Sequence, residues 1–405
     1  MGADATPRGK VVLINVYRSP VSKSTIEAVE LATGKRTVLV EGGLAPQYLR
    51  SGYLLYMRDK ALLAAPFDAG RVQLTAPAVP VLEDVAWAPT DNVAGYAVSA
   101  TGTLVYLRAS AWFAPRHVVV TDRTGTEQPI GIDDAQWAEP RFSPDGRWIS
   151  LTRTDLTWQI WLYDRSRRVL SQLTRSAGVS FSSAWTPDSR AIAHAVESPA
   201  YDLQRTPIDG TAPTMIVANS YDKKTESISP DGRTVLYHQT DVGDQLYTVP
   251  IEGGTPTRVN ESSTMTQRNA DFSPDGRWLA FAEFPPAQLP QVYVRSLAAG
   301  GGRRQVSADG GDQPLWSKNG REIVFRRGDA VLAASFDPAT GEVGRPEELF
   351  RKPDAGRLSS NRTGGYDVSA DGSRFVLITP VGRPDALPTV VVTNWLEELK
   401  KKVPR

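Results

Sequence analysis

The sequence predicts an all-β propeller built from four-stranded blades. Three observations carry this. One turn phrase recurs along the chain, its spacing is nearly constant, and short β-branched or aromatic runs fill the intervals.

The clearest copies of the phrase are Phe142-Ser-Pro-Asp-Gly-Arg-Trp148 and Phe272-Ser-Pro-Asp-Gly-Arg-Trp278. Others are Trp185-Thr-Pro-Asp-Ser189, Ile228-Ser-Pro-Asp-Gly-Arg233, Trp316-Ser-Lys-Asn-Gly320 and Val368-Ser-Ala-Asp-Gly372. Val98-Ser-Ala-Thr-Gly102 is weaker, and Leu49-Arg-Ser-Gly52 is the faintest. The Ser or Thr falls at 99, 143, 186, 229, 273, 317 and 369, giving steps of 44, 43, 43, 44, 44 and 52. A period this steady, of about 40–45 residues, belongs to propellers with four strands per blade. The runs between turns, such as 148–152, 159–163 and 279–283, are too short and too rich in β-branched and aromatic residues for helical repeats.

Each copy has the same internal order. An apolar residue ends a first strand. Proline pre-sets φ in the turn, and Asp-Gly supplies the freedom to close a hairpin. Second and third strands follow, then a glycine-rich turn (252–254 or 298–302) and a short fourth strand.

This pattern gives seven complete repeats, with first strands near 47, 96, 140, 183, 226, 270 and 314, plus partial blades at both ends. The N-terminal partial set (11–17, 25–31, 36–40) lacks a first strand, and the C-terminal set (366–369, 374–379, 389–393) lacks a fourth. An open edge exposes unpaired backbone groups, so the ends must join something. The division expected is a flexible tail at 1–10, about three blades at 11–133, a six-bladed ring at 134–397 and a basic tail at 398–405. One ring of eight or nine blades over 11–397 is the alternative. Residues 395–402 read as a short helix whose Lys400-Lys-Lys402 end is solvated and favoured by the helix dipole.

Composition excludes several functions. Net charge is +1, with 46 basic and 45 acidic residues interspersed, so no electrostatic case exists for nucleic acid. The absence of cysteine removes disulfides, thiol catalysis and cysteine-ligated zinc. No apolar run approaches the ~18 residues of a membrane helix, and 11–17 is too short for a signal-peptide core. The chain therefore reads as soluble, without an export signal, and as a monomer. Compartment is left open.

Enzyme motifs are missing. There is no Gly-x-Ser-x-Gly elbow, no His-Glu-x-x-His and no phosphate loop. His117, His194 and His238 fall in three different repeats, so they read as strand residues rather than a metal or base site. No metal and no cofactor is expected. Asp145, Asp188, Asp231, Asp275 and Asp371 all occupy the same turn of different repeats, so they read as turn-bonding side chains rather than calcium ligands. Trp148 and Trp278 read as blade-packing residues.

What remains is the funnel. First strands line a propeller's channel, and ligands meet its mouth. The polar residues entering those strands are Glu139, Arg141, Ser183, Glu226, Asn269 and Gln313. They differ in type where the turns do not, as either a binding funnel or a solvated lining would. Trp112 and Phe113 form either an exposed contact patch or a packed support for their loop.

The repeat resembles that of TolB-type propellers. Longer phrases add to this: Gly43-Leu-Ala-Pro-Gln-Tyr-Leu-Arg-Ser-Gly-Tyr-Leu-Leu-Tyr56, Leu63-Ala-Ala-Pro-Phe-Asp68, Gly311-Asp-Gln-Pro-Leu-Trp-Ser317 and Tyr366-Asp-Val-Ser-Ala-Asp-Gly372. With Val392-Thr-Asn-Trp-Leu-Glu-Glu-Leu-Lys400 they are similar to the C-terminal propeller region of bacterial receptor-type serine/threonine kinases. That resemblance implies a sensing role and an extracytoplasmic position within a larger receptor. It implies no kinase activity, since neither a glycine-rich loop, nor His-Arg-Asp, nor Asp-Phe-Gly is present. A start in mid-blade fits an accessory fragment of such a receptor.

The expected function is therefore a non-enzymatic sensor or scaffold that engages a protein, a peptide or a small ligand at its central funnel. The competing expectation is a propeller hydrolase or lyase with Glu139, Arg141 and Glu226 as its acid–base set. A structural remnant without a ligand is the third.

Overall fold

The computed structural model describes residues 3–403 apart from 6–9, 17, 19–20, 59–60, 89–92, 110–114, 155–156, 199, 242, 260–264, 299, 353–364 and 382–388. The chain forms two compact units: Pro115–Gly382, and Met1–Ala114 with Arg383–Arg405.

The larger unit is a closed ring of six four-stranded antiparallel sheets. Five are continuous in sequence. Blade 1 runs through Trp137–Phe142, Trp148–Arg153, Gln159–Asp164 and Val169–Gln172. Blades 2 to 5 start at Ser180–Trp185, Lys223–Ile228, Thr266–Phe272 and Asp312–Trp316. Blade 6 is shared by both ends of the unit: Tyr366–Val368 and Arg374–Pro380 supply its inner strands, Arg116–Asp122 and Glu127–Pro129 its outer ones. The seam is a seven-residue ladder from Arg116↔Pro380 to Asp122↔Arg374.

Turn chemistry explains the hairpins. The Ser143 amide donates to Trp148 O (2.9 Å) and the Gly146 amide to Ser143 O (2.8 Å). Gly146 sits at φ 71°, which glycine adopts without a Cβ penalty. Asp145 accepts from Ser143 Oγ (2.5 Å) and the Arg147 amide (3.0 Å), and the same pattern recurs at Asp188, Asp231, Asp275 and Asp371. These bonds hold the five carboxyls below their ordinary range, Asp371 at about 2. The turn aspartates are thus committed to their turns.

Between blades lie apolar clusters, which alternation along the strands aims at the neighbouring sheet. Val118, Val376 and Ile378 of blade 6 pack with Trp137, Ile149 and Leu151 of blade 1. On the other flank Val119, Phe375 and Leu377 pack with Val324, Val331 and Phe350 of blade 5. Trp148 packs against Ile160, Leu162, Trp185 and Ile192, and Trp278 meets Phe336 edge-on at 5.2 Å, so both tryptophans are packing residues.

The smaller unit holds the sheet Ala3–Ala5, Val11–Val16, Thr25–Glu30 and Arg36–Glu41, and the sheet built on Leu44–Leu49, Tyr53–Arg58 and Ala61–Asp68. It also holds the pair Trp87–Ala88 with Val93–Ala94, and a three-stranded sheet in which Leu104–Leu107 joins Tyr96–Val98 to Thr389–Val392.

Four sequence expectations change. The tail 1–10 is not wholly free: Ala3–Ala5 pairs with Val12–Ile14 and supplies the strand missing from the first sheet. Backbone pairing needs no side-chain pattern, so nothing in the sequence announced it. The repeat starting near 96 is not a complete blade, because the strands at 116–129 leave it to close the ring. The unit boundaries accordingly fall at 114/115 and 382/383 instead of 133/134 and 397. Last, 398–405 is no simple tail. Leu399 and Val403 of the terminal segment are buried with Leu49, Tyr53 and Leu55, and Tyr53 Oη donates to Val403 O (2.9 Å). Glu397, Glu398 and the three lysines of the helix Trp395–Lys402 are exposed, while Trp395 and Leu399 are buried.

Because the seam is side-chain-packed on both flanks, Leu377→Ala should destabilise the ring by about 2–5 kcal/mol. Urea unfolding followed by tryptophan fluorescence reads this. A cost below about 1 kcal/mol would show that the seam does not hold the ring.

Candidate functional site

In blades 1 to 5 the inner strand carries a β-bulge three or four residues before its turn serine or threonine, whereas the inner strand of blade 6 pairs in unbroken register. Register shifts fall between Ala138 and Arg141, Phe181 and Ala184, Thr225 and Ser227, Arg268 and Asp271, and Asp312 and Leu315. Glu139, Ser182, Asn269 and Gln313 take left-handed φ at these bulges (53°, 59°, 54° and 53°). Such backbone costs a non-glycine residue roughly 1 kcal/mol or more. Bulges re-aim side chains and break the ladder, so the freed amides need new acceptors.

The neighbouring blade supplies them. Glu139 Oε2 accepts the Ser182 amide at 2.6 Å and Thr152 Oγ1 at 2.8 Å. Ser182 Oγ donates to Thr225 O at 2.7 Å. Glu226 accepts the amides of Asn269 (2.8 Å) and Ala270 (3.2 Å). Asp271 accepts the Trp316 amide (3.0 Å) and Ser227 Oγ (2.7 Å). Tyr366 Oη donates to Gln313 O (2.7 Å), and Asp367 accepts the Phe142 amide (2.7 Å). All six blade interfaces are bridged.

Inside this belt, Arg141, Glu226, Asn269 and Gln313 line one cleft with Tyr366 and the apolar Ala270, Pro314 and Leu315. Its free volume is about 270 Å³, counting the open mouth. Four of the six funnel residues therefore converge. Glu139 and Ser183 do not line it. Glu139 is buried in the belt, and Ser183 Oγ lies 2.9 Å from Ser150 Oγ, buried within the sheets. Trp112 and Phe113 lie outside the described residues.

Arg141 Nη1 donates to Tyr366 O at 2.8 Å. Glu226 Oε1 also takes His238 Nδ1 at 2.6 Å, with both side chains buried. The other histidines serve their own blades. His194 bonds Ala195 O and Thr206 Oγ1, and burial pushes it down to about 4. His117 Nδ1 meets Asp134 at 2.6 Å. No two of the three share a site.

Sequence reading missed Tyr366, Asp271 and Asp367. Burial pushes Asp367 up to about 6, against the pull of Arg141, and raises Asp271 too. Asp312 is also raised to about 6 by burial, opposed by Arg326 and Arg268. The available signal was an acid immediately before the strand's last apolar residue, where other repeats have Arg141, Ala184, Ser227 or Leu315. Lys318 was also missed. It stands where blades 1 to 4 have proline, and Ala370 takes that place in blade 6. Its Nζ donates to Pro144 O (2.9 Å), reaching from blade 5 to blade 1 across the turn end of the channel.

With this geometry in place, comparison decides the fold. A solved structure of a putative TolB from Agrobacterium tumefaciens matches with TM-score 0.54 at 19% identity, covering 67% of this chain and 99% of that one. The fold is that of a TolB-like β-propeller. TolB from Acinetobacter baumannii also aligns (TM-score 0.46, 14% identity, 83% of this chain and 79% of that one). In sequence, the uncharacterized protein Atu1656 of Agrobacterium fabrum is 27% identical over 198 residues. That match spans 47% of this chain and 66% of the relative, just under two thirds of its length. No family model matches. The likeness to receptor-kinase propellers rests on the sequence phrases alone. No helix among the described residues is long and apolar enough to cross a membrane.

The raised carboxyls give this TolB-like ring a distinct pH signature. Asp367 and Asp312 sit above their ordinary value, so their contribution is present below about pH 4 and is lost as pH rises through about 6. The turn aspartates act in the opposite sense at lower pH, Asp371 losing its contribution as pH falls toward about 2. Asp367→Asn with Asp312→Asn should remove on the order of 2 kcal/mol per site from the pH 4–7 slope of stability. Melting temperatures across that range test it. An unchanged slope would contradict the buried placement.

Proposed function

We propose that this TolB-like propeller is a non-enzymatic binding module that engages a protein or peptide, or a small ligand, at the cleft of Arg141, Glu226, Asn269 and Gln313. The single observation behind this is the convergence of differing polar side chains from blades 1, 3, 4 and 5 on one opening. The repeated turns around them stay constant.

The same observation weighs against a funnel hydrolase or lyase. An acid–base pair needs carboxyls that are free to meet a substrate and exchange protons with it. Glu139 and Glu226 are instead tied to backbone amides of the next blade. The near-neutral charge favours neither nucleic acid nor an anionic surface, and binding is read as the work of a monomer.

The test is capture by the immobilised chain from a bacterial envelope extract, read by quantitative mass spectrometry. A partner should be retained by the wild type and reduced at least about tenfold by Arg141→Ala with Gln313→Ala, the loss expected for one or two buried hydrogen bonds. Glu139→Gln should retain that partner while lowering the melting temperature. If every retained protein binds the Arg141/Gln313 variant equally well, the cleft is not the site.

A further inference from the structure

We infer that the cleft receives a neutral primary carboxamide, –CO–NH2, carried by a small molecule or by an Asn or Gln side chain of a partner. This rests on the cleft reading above and names its ligand chemistry.

One acceptor in the cleft lacks a donor. Gln313 Oε1 is buried and has no hydrogen-bond partner among the described residues. An acceptor left so is costly, and a ligand N–H placed against it removes that cost. The second group is Arg141. A guanidinium has five N–H donors in a planar fork. The bonds to Tyr366 O (2.8 Å) and Pro140 O (3.5 Å) both come from Nη1, which leaves further donors of the fork for a ligand oxygen. Arg141 and Gln313 line the same cleft, with Tyr366 between them: its carbonyl accepts from Arg141 and its Oη donates to Gln313 O (2.7 Å).

Charge selects among ligands that could use both. Asp367, raised by burial only to about 6, is ionised at the pH of 7.5 used below and offsets the charge of the Arg141 guanidinium. Glu226 on the cleft wall is occupied by His238 and two amides. An incoming carboxylate therefore meets one cation among several acids and brings no N–H to Gln313. An ammonium supplies the N–H and meets the guanidinium. A carboxamide offers an oxygen to Arg141 and an N–H to Gln313 from one planar, uncharged unit. Ala270, Pro314 and Leu315 provide an apolar wall for the carbons that carry it.

The test uses the full chain and three probes of matched shape: propionamide, propionate and n-propylamine. Affinities come from saturation-transfer NMR titrations at pH 7.5. Propionamide should bind at least about fivefold tighter than the other two, and Gln313→Leu and Arg141→Lys should each weaken it about fivefold or more. The two substitutions lie on different blades, and a thermal melt of each confirms folding. N-acetyl-Gly-Gln-Gly-amide, set against its Glu counterpart, separates the sources. If the Gln peptide binds tighter than propionamide, the carboxamide arrives on a partner chain; otherwise it arrives as a small molecule. Preference for propionate or n-propylamine with dependence on Gln313 and Arg141 overturns the carboxamide and keeps the cleft. Binding that ignores both substitutions, or no binding by any probe or peptide, overturns the cleft itself.

Discussion

The ring depends on one recurrent need, which is to satisfy the inner-strand backbone where a bulge breaks its ladder. A six-bladed propeller brings its first strands together around a narrow axis. In five of the six blades a bulge bends that strand to fit, and in doing so withdraws amides from their own sheet. A buried amide without an acceptor costs about as much as a lost hydrogen bond. In this protein the acceptors come from the adjacent blade: Glu139 for Ser182, and Glu226 for Asn269 and Ala270. Further down the strands Asp271 serves Trp316 and Asp367 serves Phe142. Apolar clusters hold the blades face to face, but they are non-directional. The belt of charge-assisted bonds fixes the register of one blade on the next.

That requirement explains an otherwise misleading channel. Carboxylates at the axis of a propeller look like catalytic acids when read one at a time. Seen with their partners they are structural, and their burial is tolerable because each is hydrogen-bonded. What stays available for a ligand is the smaller set between them, chiefly Arg141 and the amide side chain of Gln313. The protein thus spends its acids on architecture and leaves neutral or delocalised groups at the opening. On the proposed reading such a site suits recognition more than proton transfer.

Much of the fold was legible because turns are local. Ser-Pro-Asp-Gly needs only its own few residues to close a hairpin, so its period survives in the sequence and yields the blade count of the crisp region. Ring closure was not legible in the same way. Arg116–Asp122 and Arg374–Pro380 are about 260 residues apart in the chain and pair through backbone ladders that leave no local mark. The bulges were hidden for another reason. Their left-handed positions hold Glu139, Ser182 and Gln313 rather than glycine, so the sequence shows no breaker there. Of the site, Arg141, Glu226, Asn269 and Gln313 were found because they are polar and vary in type within two to four residues of a turn that does not. Tyr366 was not, since its blade lies 52 residues on rather than 43 or 44, and its ring reads as core.

The claim on which the rest hangs is that carboxylates of one blade cap amides of the next. Hydrogen–deuterium exchange resolved to single amides by NMR tests it directly. Glu139→Ala should selectively lose protection at Ser182, and Glu226→Ala at Asn269 and Ala270, while Phe142 and Trp316 stay protected by Asp367 and Asp271. Unchanged exchange at Ser182 and Asn269 in these variants would contradict the account.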